Sequence, residues 1–84
     1  MKLVHLVCIL PSEKAGEYYF DYLGDLLEFL HGVPGLSPLS RRDYMRHLMK
    51  EGIASLHTDR YVLGATLDLE QYDTRYRRVS QNME

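Results

Sequence analysis

The sequence predicts a small α+β fold in one domain, and three observations carry that expectation. The chain opens on an apolar run from Lys2 to Leu10, its middle holds two stretches with helical spacing, and beyond Gly52 apolar residues recur at alternate positions. The expected order is an N-terminal strand, a long helix, a short basic helix and a C-terminal β-hairpin. Residues 1–69 make the globular unit. Residues 70–84 form a polar tail or short C-terminal helix that carries Tyr72, Arg75, Tyr76, Arg77 and Arg78.

The opening run is rich in β-branched residues and closed by Pro11, which suits a buried strand better than a short buried helix. Ser12 offers an N-cap with Glu13 in the first turn, and a helix is expected from there to about His31. On it Glu13, Glu17, Asp21 and Asp25 recur every four residues and, with Glu28, fall within an arc of about 120°. Tyr19, Leu23, Leu26 and Leu30 take the opposite, core-facing arc with Tyr22 and Leu27 beside them, while Tyr18, Phe20 and Phe29 flank the acidic stripe.

His31 to Leu39 reads as a loop, with Gly32 as the residue after the helix and Pro34 blocking its continuation. Ser40 then caps a second helix, Arg41 to Glu51, ended by Gly52. Tyr44, Met45, Leu48 and Met49 form its apolar arc; Arg42, Arg46 and Lys50 stand four apart on the polar one. Residues 53–57 and 60–69, separated by Thr58-Asp59, make the hairpin, with Tyr61, Leu63, Ala65, Leu67 and Leu69 on one face. Leu23, Leu26, Leu30, Leu48 and Leu63 are expected to meet in one core.

Eighty-four residues leave room for a single modest core, with about 60–65% of the unfolded surface buried. A composition 45% hydrophobic and 26% charged argues for folding and against disorder. The one cysteine, Cys8, has no partner for an internal disulfide and sits among apolar neighbours, which fits a reduced, cytoplasmic setting and a thiol that packs as a core residue. The N-terminal run is short, carries His5 and lacks a small-residue cleavage pattern, so neither export nor a membrane span is expected. Net charge is −2, but residues 1–35 hold two lysines against five acids whereas residues 36–84 hold eight basic residues against seven acids. The chain is thus acidic first and mildly basic later.

The succession of basic helix, glycine and apolar hairpin looks like half of a winged helix. With Gly35-Leu36, Gly52-Ile53 and Arg60-Tyr61-Val62-Leu63-Gly64 in order and at compatible spacing, residues 35–69 resemble the winged-helix DNA-binding domain of IclR-type transcription regulators. That resemblance implies a regulator bound to duplex DNA. Arg42, Arg46 and Lys50 would enter the major groove, where an arginine can bridge O6 and N7 of guanine. Arg60, with Arg75, Arg77 and Arg78, would neutralise phosphates. The chain departs from the family at Arg41, where an apolar anchor is usual, and in the long Gly/Pro loop that replaces a tight turn. Arg41 is expected either to lay its stem over the core edge or to pair with Asp25 or Glu28.

A second function class is equally concrete. The acidic stripe (Glu13, Glu17, Asp21, Asp25), together with Tyr18, offers a surface for a host protein, because tyrosines anchor interfaces and a row of carboxylates can stand in for phosphates. Such a surface suits a small phage- or mobile-element-borne inhibitor of a nucleic-acid-handling protein. The plain alternative to both readings is that each charge stripe is a solvated helix face. Monomer and homodimer are both open. Catalysis and cofactors are not expected: His5, His31, His47 and His57 share no metal-ligand spacing with each other or with Cys8, and no phosphate-cradling glycine loop or nucleophile elbow occurs.

Overall fold

Residues 2–77 are described in a computed structural model of the protein. The opening run is the expected strand, β1 (Val4–Leu10): Val4, Leu6 and Cys8 are buried, while Val7 and Ile9 face outward. A single 3₁₀ turn at Ser12–Lys14 then reverses the chain into a second strand, β2 (Gly16–Phe20), antiparallel to β1 with Val4 opposite Phe20 and Cys8 opposite Gly16.

The long helix expected over 13–31 is therefore replaced by a hairpin and a nine-residue helix, α1 (Leu23–His31). Gly16 takes a φ of +153°, a value that suits glycine. The Tyr18-Tyr19-Phe20 run gains more by pairing beside β1 than by coiling. A four-residue spacing is also a multiple of the strand period of two. The recurrence of Glu17 and Asp21 therefore never distinguished helix from strand.

The second helix, α2 (Pro38–Glu51), starts three residues earlier than expected. Ser37 rather than Ser40 is its N-cap: the Ser37 hydroxyl accepts the Ser40 N–H at 3.1 Å, and Pro38 takes the first helical position. Gly52, at a φ of +79°, ends the helix in the left-handed conformation and donates its N–H to Leu48 at 2.8 Å. β3 (Ile53–His57) and β4 (Val62–Leu67) form the expected hairpin, with Ala54 opposite Ala65. β4 begins two residues later than expected, because the Thr58 hydroxyl accepts the N–H groups of Arg60 and Tyr61 and holds that stretch as a turn. A short helix, α3 (Leu69–Tyr72), capped by Asp68, continues through a wider helical turn over Asp73–Arg77. Arg78 lies outside the described residues.

The four strands form one antiparallel sheet in the order β2-β1-β4-β3, with α1 and α2 covering a single face. Leu26, Leu30, Leu48 and Leu63 are fully buried there with Leu3, Leu6 and Ala65; Leu23 is half-buried at the margin. Tyr44 is the polar pin of this core. Its hydroxyl lies 3.3 Å from the carbonyl oxygens of both Ala54 and Leu63 and donates its proton between them, and burial pushes the phenol above the usual tyrosine range. Truncation of Leu63, fully buried between the sheet and its helices, is expected to cost about 2–5 kcal/mol, read as a lower urea midpoint for Leu63→Ala at unchanged slope.

Candidate functional site

The acids of the first third do not form a stripe. Glu13 is exposed on the 3₁₀ turn, Glu17 lies on β2, Asp21 in the turn after it, and Asp25 in the first turn of α1. Two of them are held by local partners, and neither partner is the basic helix. Asp21 pairs with Lys2 at 3.0 Å, and Glu17 lies 2.8 Å from His5 Nε2. Tyr18 is also not free to anchor a partner: it is half-buried against Phe29, and its hydroxyl donates to the Lys14 carbonyl at 2.6 Å. Tyr19 and Tyr22, placed in the core by the helical reading, are 55% and 61% exposed. The strand geometry accounts for the exchange, since β2 turns Tyr18 and Phe20 inward and Glu17 and Tyr19 outward.

Outward, Tyr19 stacks on His5 with ring centroids 4.6 Å apart, and its hydroxyl donates to Glu17 at 2.8 Å. That bond, followed by the contact with His5, holds the Glu17 carboxyl below the usual glutamate range. The Arg75 guanidinium reaches back from beyond α3 to the Asp21 carbonyl and lies over the Tyr22 ring, so this expected phosphate ligand is engaged within the domain. Tyr72 and Tyr76 stack on each other at 5.2 Å.

The basic residues of α2 fare differently. Tyr44, Met45 and Leu48 bury one side of the helix, and Arg42, Arg46 and Lys50 project from the other, exposed and within an arc of about 80°. Leu39, 58% exposed, heads the same ridge. Arg60 comes from the β3–β4 turn to the loop that enters α2, where its guanidinium lies 3.8 Å from the position a side chain on Gly35 would take. Arg41 adopts neither of its expected partners. Half-buried, it donates from Nη1 to the Leu36 carbonyl at 3.0 Å, which ties the loop to the helix without an acid.

Between α1 and α2 runs a groove of about 540 Å³. Leu27, Pro38, Met45 and Met49 form its apolar floor and walls; His31, Arg41, Arg42 and Arg46 line its rim, and no acid does. Asp25 is on the side of α1 turned away from it, and Glu28 stands exposed one turn before His31, outside the lining. The sequence reading found the cations of this site but not its floor. Leu27 was assigned to the core, and Pro38 and Leu39 to a loop. The available signal was on α1 alone, where Leu27 adds an apolar residue beyond the arc that Leu26 and Leu30 fill. Among the described residues, no three of His, Cys, Asp and Glu gather so as to hold a metal ion, and no helix is long and apolar enough to cross a membrane.

Two measurements check this description. In a carboxyl NMR titration Glu17 should titrate below exposed glutamates, and Tyr19→Phe should raise its midpoint. Because the folded value is depressed, the stability this cluster adds is present above the ordinary glutamate range and is lost as pH falls through the folded value. Cys8, buried and bonded through Sγ to the Leu10 carbonyl, has its thiol pKa raised chiefly by burial. Alkylation by iodoacetamide should therefore be slow in the native protein and rise to the free-thiol rate in denaturant.

No family model, no curated protein and no solved structure matches this chain.

Proposed function

We propose that the protein is a non-enzymatic binding module whose α1–α2 groove takes the apolar face of an acidic amphipathic helix from a partner protein. One observation carries this reading: an apolar floor between two helices framed by basic side chains alone. Methionine and leucine floors adapt to the apolar stripe of a docked helix, while Arg42, Arg46 and His31 meet carboxylates along its flanks. From Pro38 to Met49 the groove follows α2 for about 17 Å, the length of three turns of a bound helix. The function is thus that of an adaptor or inhibitor, with the recognising charge supplied by α2 and not by the acids of the first third.

Duplex DNA is the second reading, and the placement of Arg60 at the entrance to α2 favours it. Arg42, Arg46, Lys50 and Arg60 then contact phosphates and base edges, in the winged-helix-like manner that the run from Gly35 through the hairpin suggests. Against a duplex, the groove floor and Leu39 stay uncovered, and the exposed Glu28 stands on the neighbouring helix.

Fluorescence anisotropy with a labelled Leu/Glu amphipathic helix and with a random 20-base-pair duplex separates the two. The peptide is expected to bind, to lose about tenfold in affinity in Arg42→Glu/Arg46→Glu, and to be lost in Leu27→Asp. Duplex binding unaffected by Leu27→Asp, with a log–log salt slope near about −3.6 for four phosphates, would overturn the peptide reading in favour of DNA. Binding of neither probe would remove both.

A further inference from the structure

β3 is an edge strand without the usual protection. Ile53–His57 carries no lysine, arginine, aspartate or glutamate, no proline and no bulge, whereas β2 at the other edge bears Glu17 and ends at the Lys2–Asp21 pair. Its backbone polarity follows from the ladder. Leu67 donates to Gly52 and Thr58 to Tyr61, so the pairs that exchange hydrogen bonds within the β3–β4 hairpin are Ala54 with Ala65 and Leu56 with Leu63. The N–H and C=O groups of Ile53, Ser55 and His57 therefore point out of the sheet, and among the described residues nothing bonds them.

Beside this edge lies a second groove, about 340 Å³, between the strand and the flank of α2. Ser40, Asp43 and His47 form its helical wall, and Ala54 and Leu56 its strand side. The free edge and the adjoining helical wall together present what an added strand needs: backbone partners and a place for alternate side chains.

We propose that the strand added here is β3 of a second copy, paired antiparallel about a two-fold axis at Ser55. The register follows from the groups that point outward. Ser55 meets Ser55, and Ile53 of one copy meets His57 of the other, so every outward N–H finds a carbonyl. On the helical side the same register sets Ala54 of one copy against Leu56 of the other, small against large. The strand has no lysine, arginine, aspartate or glutamate to repel its own copy, and the helical walls complement each other as acceptor and donor: the two α2 helices run antiparallel across the axis, bringing the Asp43 carboxylate of one towards the His47 ring of the other. A two-fold axis turns one groove lined by an acid and a histidine into two reciprocal pairs, whereas an unrelated extended peptide would have to supply the matching donor and acceptor itself. This dimer leaves the α1–α2 groove open and is independent of what that groove binds.

Sedimentation velocity on the full chain tests it, with an expected mass of about twice 9.8 kDa at micromolar concentration. Ser55→Pro is the informative variant: it removes an N–H that the β3–β4 ladder does not use, so it should give a monomer with the native circular dichroism spectrum. Amide hydrogen exchange keeps the test decisive if that variant fails to fold. In the wild type, the Ile53, Ser55 and His57 amides should be protected, and their protection should fall on dilution. A wild-type monomer up to about 100 µM, a dimer that persists in folded Ser55→Pro, or fast exchange at those three amides at high concentration would each overturn the proposal.

Discussion

The pairing of β1 with β4 joins Val4 to Leu67, and every other packing surface in the domain forms on the sheet that this pairing completes. Taken separately, the β1–β2 and β3–β4 hairpins are two-stranded ribbons, each marginal in water. Joined, they give four strands whose inner face buries Leu6, Cys8, Leu63 and Ala65 beneath two helices. The cost is a loop closure over most of the chain, and the helices pack on the sheet that this closure completes. The Asp68 backbone N–H donates to the Leu3 carbonyl just past the end of the ladder, so the register is fixed where β1 and β4 meet.

Once the sheet is built, its two faces have unlike fates. The covered face takes nearly all the large aliphatic residues. The open face keeps Val7, Ile9, Tyr19 and Ile53 beside the Glu17–His5 pair, a mixed surface with little charge. The helical layer is divided as well. α1 exposes Asp25 and Glu28, and α2 lifts Arg42, Arg46 and Lys50 into solvent, so the layer is polarised across the groove between them. The charge asymmetry along the chain becomes a charge asymmetry across one surface, the one that the proposed partner helix would meet.

Sequence patterns made β1, α2, the hairpin and four of five named core leucines legible, because in each the period, the terminating residue and the apolar set agreed. Gly52 ends α2 in a left-handed conformation that few residues but glycine enter freely, and the alternation from Tyr61 to Leu67 could belong to nothing but a strand. Residues 13–22 were not legible by the same means. A four-residue repeat satisfies both a helix and a strand, and the choice between them rests on Gly16 and the adjacent aromatics, a weaker signal than the repeated acids. The basic side of the site was visible as Arg42, Arg46 and Lys50. Its floor was not, since Leu27, Pro38 and Met49 become a surface only when two helices lie side by side, a relation that no single-element pattern contains. Arg41 illustrates the same limit: its partner is a loop carbonyl, and backbone acceptors leave no trace in side-chain spacing.

Tyr44 gives the domain an alkaline limit. The phenol is buried between two strand carbonyls and favours its neutral form, so the folded chain resists losing that proton while the unfolded chain gives it up near the ordinary tyrosine value, about 10. The advantage is complete below that value and drains above it by about 1.4 kcal/mol per pH unit, the slope of one withheld proton. A group chosen for packing thus couples the hold of α2 on the sheet to hydroxide concentration. In strong base the helix that frames both grooves should be the first to lose its seat.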